Sequence, residues 1–212
     1  MSHNWLEKTM RIVTANELQH WLNTGQIVEK DSRGPKVVCL QDGRFLKIFR
    51  SKRPWLARWR PEAKRFAHNA QALGSLGIAT PEKIESVWLE PDKGVSACLY
   101  YPLNGTPLES LFKQQRPLFD ALLADFSAYI YHLHQNGIYF RSLHLGNVLL
   151  LPAGGFGLID FLDLRIKRSP LSQSLVRRNF AHLQGYLKRR NVEGFPWEEL
   201  IRDYELTNKP SN

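Results

Sequence analysis

Cysteine is scarce. Cys39 and Cys98 are the two in 212 residues, so the chain has neither a multi-disulfide framework nor a cysteine-rich zinc site. Each stands in a strand-like apolar run, Val37-Val38-Cys39-Leu40 and Ala97-Cys98-Leu99, the setting of a small buried thiol. No apolar run approaches the roughly 18 residues of a membrane-spanning helix. The opening residues, Met1 to Lys8, lack the basic-then-apolar order of a secretory signal, and the expectation is a cytoplasmic protein. Carboxylates are outnumbered, 20 Asp and Glu against 29 Lys and Arg, for a formal net charge of +9. That excess favours polyanions: nucleic acid, an anionic membrane surface or a phosphorylated glycolipid. Charge does not choose among them. Repeats and low-complexity segments are also missing, and 43% hydrophobic residues suffice for one compact domain or two small lobes sharing a cleft.

What is present runs from β-rich to helix-rich. A short helix over Ala15 to Leu22 precedes Val37-Val38-Cys39-Leu40 and Phe45-Leu46-Lys47-Ile48-Phe49, joined by Gln41-Asp42-Gly43-Arg44. Asp-Gly between two apolar runs predicts a hairpin with positive φ at both central positions, which makes Lys47 a mid-strand lysine. Pro61 opens a helix with Glu62, Phe66, Asn69, Ala70 and Leu73 on one face. Two further strands flank Pro91-Asp92-Lys93-Gly94 and complete a small antiparallel sheet. Pro102 to Pro107 reads as a hinge. Beyond it, Pro117 to Gln135 predicts one core helix with Leu118, Leu122, Phe126, Tyr129, Ile130 and Leu133 in a stripe, stopped by Asn136-Gly137. Then come a loop, Arg141 to Asn147, and a hairpin from Val148 to Ile159 that ends in Asp160. Leu171 to Arg190 and Trp197 to Tyr204 are helical and basic.

Phosphoryl transfer from ATP needs a lysine for the phosphates and oxygen ligands for magnesium more than it needs covalent chemistry. The stretch Phe140-Arg141-Ser142-Leu143-His144-Leu145-Gly146-Asn147, with Asp160 thirteen residues after Asn147, has the spacing of a kinase catalytic loop and its metal-binding aspartate. Leu143-His144-Leu145-Gly146-Asn147 resembles the Leu-His-Pro-Gly-Asn loop of aminoglycoside and choline kinases and of the lipopolysaccharide kinases. Leu76-Gly77-Ile78-Ala79-Thr80-Pro81, Asp160 to Arg165 and Arg177 to Leu183 are similar to the lipopolysaccharide branch, the Kdo and heptose kinases and their toluene-tolerance relatives. The similarity extends from about Val37 to Leu187, with its best matches around residues 133–163.

The resemblance implies an α+β, protein-kinase-like, two-lobed fold: a small antiparallel sheet lobe (1–101), a hinge (102–107) and a shortened helical lobe (108–212). It implies ATP and Mg2+ as cofactors, Asn147 and Asp160 as metal ligands, and Lys47 on the α/β-phosphates. Glu62 is the nearest helix carboxylate able to pair with Lys47; Asn69 or a water could stand there, and Glu62 could equally be a first-turn carboxylate at a helix N-terminus. The implied activity is phosphorylation of a sugar hydroxyl of the lipopolysaccharide core at the cytoplasmic face of the inner membrane.

Two features depart from the family. No Gly-x-Gly-x-x-Gly precedes the first hairpin, where only Gly25 and Ser32-Arg33-Gly34-Pro35 stand. Ser142 occupies the position of the aspartate that orients the acceptor hydroxyl, so slow transfer, a substitute base in His144 or Asp163, or a pseudokinase scaffold or regulator in envelope biogenesis all stay open. A kinase for soluble small molecules is another alternative. His144 could instead brace the loop, and His132 and His134 lie too close in sequence to share a helix face. The basic run Arg50, Lys52, Arg53, Arg58, Arg60, Lys64 and Arg65, interleaved with Trp55 and Trp59, is either a solvated linker and helix face or a contact for anionic lipid; nucleic acid is the remotest partner, suggested by charge alone.

Overall fold

The computed structural model describes residues 10–207. The signal-sequence expectation for Met1 to Lys8 lies outside them. The fold is mixed α+β, and the contacts of the described residues divide into two compact units, one of residues 10–71 with 81–102 and one of residues 72–80 with 103–207.

The first unit holds β1 (Arg11–Ile12), α1 (Ala15–Thr24), β2 (Gln26–Asp31), β3 (Gly34–Cys39), β4 (Phe45–Arg50), α2 (Pro54–Trp59), most of α3 (Glu62–Ser75), β5 (Glu82–Glu90) and β6 (Val95–Tyr101). Its six strands run in the order β1-β5-β6-β4-β3-β2, antiparallel except for β1 beside β5. Strand alternation sorts the side chains of β4 between two faces. Leu46 and Ile48 join Val38, Val87, Ala97 and Leu99 in a core covered by Leu18, Trp21 and Leu22 of α1. Lys47 and Phe49 face the other way, where both rings and charge meet Phe66 of α3.

The β3–β4 turn differs from the expected form. Gly43 N–H donates to Leu40 O (3.0 Å) and Leu40 N–H to Arg44 O (2.8 Å), and Gly43 alone takes positive φ, +80°. This is a three-residue loop closing with a left-handed glycine. Asp42 keeps ordinary φ because its carboxylate is committed to the backbone N–H (3.0 Å) and guanidinium (2.7 Å) of Arg44. Of the basic tryptophan run, Trp55, Arg58 and Trp59 lie on the separate short helix α2, whereas Arg50 ends β4 and Lys64 and Arg65 belong to α3.

The second unit holds the end of α3, then β7 (Thr106–Pro107), α4 (Leu108–Gln114), α5 (Arg116–Ala121), α6 (Leu123–Gln135), β8 (Ile138–Tyr139), β9 (Val148–Leu150), β10 (Phe156–Leu158), β11 (Arg165–Ile166), α7 (Gln173–Arg189) and α8 (Trp197–Thr207). Strands β10-β9-β7 form one small sheet and β11-β8 a ribbon. Part of the proline-rich hinge stretch is thus a strand, since Thr106–Pro107 pairs with β9.

The single helix expected from Pro117 to Gln135 is two. Leu122, at φ −92° and ψ −1°, interrupts it, and its N–H is shared between Leu118 O and Phe119 O. The break shifts the helical phase, so Leu118 is 41% exposed and Phe119 takes the core position, edge-on to Phe112 at 5.0 Å. From there the stripe holds: Phe126, Ile130 and Leu133 are buried. His134 is buried with them, between Tyr204 Oη (2.8 Å) of α8 and Asn179 Oδ1 (3.1 Å) of α7. Among the described residues no helix is long and apolar enough to cross a membrane.

Candidate functional site

In the second unit, hairpin geometry explains the thirteen-residue spacing of Asn147 and Asp160. Antiparallel register sets Leu158 opposite Val148, and the next rung closes through Ile159 N–H to Asn147 O (3.0 Å). Asn147 enters β9 just where Asp160 leaves β10, so the two residues stand at the same open end of the hairpin. Asn147 is buried, and its Nδ2 donates to Ser142 O (3.0 Å), which leaves Oδ1 as the atom able to meet a cation. Asp160 takes φ +53°, a left-handed conformation that few non-glycine residues adopt and that recurs at functional sites.

The hairpin is itself held from below. Leu158 N–H donates to Ala79 O (2.9 Å), and Ala79 bridges Gly157 in parallel. A Cβ at Gly157 would lie 3.0 Å from Ala79 O and 2.5 Å from a Leu103 methyl, so a side chain there would press on this contact.

Beside this end, Ser142 Oγ donates to Asp163 Oδ2 at 2.8 Å, while Asp163 Oδ1 is buried with no hydrogen-bond partner among the described residues. A carboxylate oxygen buried without a donor is costly unless a ligand supplies one. His144 lies flat on Tyr186 of α7, with ring centroids 4.1 Å apart and planes 5° from parallel. Burial lowers its pKa against the opposing pull of Asp160 and Glu109. A neutral, stacked ring braces the loop. Tyr186 Oη in turn donates to Glu109 Oε2 (2.8 Å), and Glu109 N–H donates to Leu145 O (3.0 Å), tying α4 and α7 to the loop. Burial pushes the Glu109 carboxyl up, but hydrogen bonds from Lys113 and Tyr186 outweigh it and hold it below its usual value. Glu109 and Tyr186 escaped the sequence analysis, because nothing in their spacing marks them.

Asn179 also went unnoticed. Its Nδ2 donates to Phe140 O (2.6 Å) at the loop's start, and its Oδ1 receives His134. For the two histidines left open, burial depresses the His134 pKa to about 4, and exposed His132 contacts Asn136 Nδ2 at 3.3 Å.

In the first unit, Lys47 is 6% exposed. Its Nζ stands 5.5 Å from the Phe66 ring centre, and its cross-strand neighbour Cys98 donates Sγ–H to Ala63 O of α3 (3.3 Å). Burial lifts the Cys98 thiol to about 12, which makes it an inert core group. Asn69, one turn beyond Phe66, is buried as well. Glu62 lies in the first turn of α3 with Arg65 Nη2 3.9 Å from its Oε1, a geometry that fits the first-turn carboxylate.

Compared with protein-family models and with curated proteins, the chain matches none. Among the described residues no three His, Cys, Asp or Glu side chains are grouped to hold a metal. Asn147 and Asp160 supply two hard oxygen donors, the partial set that suits a magnesium ion completed by phosphate and water.

Proposed function

We propose that this chain is a protein-kinase-like phosphotransferase that moves the γ-phosphoryl group of ATP to a sugar hydroxyl of the lipopolysaccharide core. The observation that carries this reading is the β9–β10 hairpin, which brings Asn147 and Asp160 to one end with the Ser142–Asp163 pair beside them. In this reading Asn147 Oδ1 and the Asp160 carboxylate hold Mg2+, which neutralises phosphate charge when bound. Lys47, kept dry against Phe66, meets the α/β-phosphates as a compact charge whose attraction is strengthened by burial. Asp163 takes the proton of the acceptor hydroxyl, directly or through Ser142 Oγ. His144 is a brace. The acceptor class comes from the resemblance of Leu76 to Pro81, Asp160 to Arg165 and Arg177 to Leu183 to the lipopolysaccharide branch, and with it a cytoplasmic site of action at the inner membrane.

Incubation with γ-labelled ATP, magnesium and purified rough-form lipopolysaccharide tests this: label should reach core sugars with wild type and not with Asp160→Ala. Label on soluble aminoglycosides or choline, with none on lipopolysaccharide, would move the chain to the small-molecule kinases.

A second reading, a pseudokinase scaffold or regulator, is favoured by Ser142, a hydroxyl where such kinases carry a carboxylate. Ser142→Asp separates the two: it should raise transfer in a slowed kinase and leave a scaffold without activity.

A further inference from the structure

Helix α2 presents an apolar and cationic surface that neither reading uses. Trp55 and Trp59, four residues apart and so on one helix face, are 70% and 84% exposed, and Leu56 between them is 40% exposed. Large aromatic side chains left this bare are uncommon on a soluble surface unless something covers them. Lys52, Arg53, Arg58 and Arg60 surround them, all exposed, and no carboxylate occurs from Ser51 to Pro61. The patch is held firmly from beneath. Ala57 is buried, and α2 sits so close to the turn before β6 that a Cβ at Gly94 would lie 2.8 Å from Pro54 Cα and 3.0 Å from Ala57 Cβ.

We infer that α2 docks on the surface of an anionic phospholipid bilayer, with the indoles of Trp55 and Trp59 in the headgroup layer and the four cations among lipid phosphates. Indoles prefer that layer because one part is apolar and the N–H needs a polar partner. Each cation near such a surface strengthens binding about five-fold at moderate salt. Charge complementarity selects this occupant: a second copy of a chain with net charge +9 would bring like charge to a patch that has no acid of its own. The inference stands on α2 and is independent of phosphotransfer.

The test is sedimentation of the full chain with vesicles of phosphatidylcholine containing about a third phosphatidylglycerol, or phosphatidylcholine alone, with brominated lipid as a tryptophan quencher. Wild type should bind the anionic vesicles, lose binding as salt rises and show quenching. Trp55→Ala/Trp59→Ala should bind at least tenfold more weakly, with little quenching and unchanged thermal unfolding. Arg58→Gln/Arg60→Gln, which leaves both indoles in place, should weaken binding to anionic vesicles by roughly twenty-fold. Failure of wild type to bind, or equal binding by the tryptophan variant, overturns the inference. Self-association that the tryptophan variant abolishes, without vesicle binding, would overturn it in favour of a second copy.

Discussion

Ser142 and Asp163, 21 residues apart, are joined by one hydrogen bond of 2.8 Å, and the other oxygen of that carboxylate has no donor among the described residues. The loop position that lacks a carboxylate therefore has one as its neighbour. On the phosphotransferase reading, Asp163→Asn removes the proton acceptor and should lower kcat by about 10²- to 10⁴-fold. Ser142→Ala should also lower it if the hydroxyl passes the proton on, and the double variant should be no worse than the weaker single one. Nucleotide-induced stabilisation should survive in all three, which steady-state kinetics and thermal shift together would check.

Lys47 offers a contrast between stability and activity. Lys47 is buried with its Nζ over the Phe66 ring. Lys47→Met keeps a long apolar stem and removes the charge, so on the phosphotransferase reading the protein should still fold while the ATP-dependent thermal shift falls sharply. A large loss of stability in denaturant titration would show instead that the lysine serves the core.

His134 predicts acid sensitivity. Burial lowers its folded-state pKa to about 4, below the ordinary histidine value, so between those two values the unfolded chain binds more protons than the folded one. Stability from this group is complete above the unfolded value and is lost as pH falls towards 4, by roughly 3 kcal/mol at most. His144 and His182, both lowered chiefly by burial, add to the same slope. His134→Gln should flatten the dependence of unfolding free energy on pH in this window.

The interrupted helix makes a simple test of packing. Phe119→Ala should cost about 3–5 kcal/mol, whereas Leu118→Ala, at an exposed site, should cost well under 1 kcal/mol. Denaturant midpoints would show the difference.

The legible parts of this chain were those governed by local periodicity. The apolar runs on either side of Asp42-Gly43 set Lys47 mid-strand, and those flanking Pro152 to Gly155 marked the hairpin that unites Asn147 with Asp160. The break at Leu122 left no trace, because apolar residues continue through it and either phase offers a plausible stripe. Tyr186 and Glu109 were invisible for another reason: their hydrogen bond spans 77 residues, and its partners are chosen by packing of α7 and α4 rather than by any motif. The resemblance around Arg177 to Leu183 covered Asn179 without disclosing that its amide links His134 to the loop.

The most direct measurement is a thermal-shift titration with ATP, with and without magnesium, on wild type and Asp160→Ala. The account predicts that ATP at about a hundred times its Kd raises the wild-type midpoint by roughly 5–10 °C in a magnesium-dependent way, and that Asp160→Ala loses the magnesium-dependent part. No rise in either protein, or an equal rise in both, would contradict the assignment of Asn147 and Asp160 as the magnesium end of a nucleotide site.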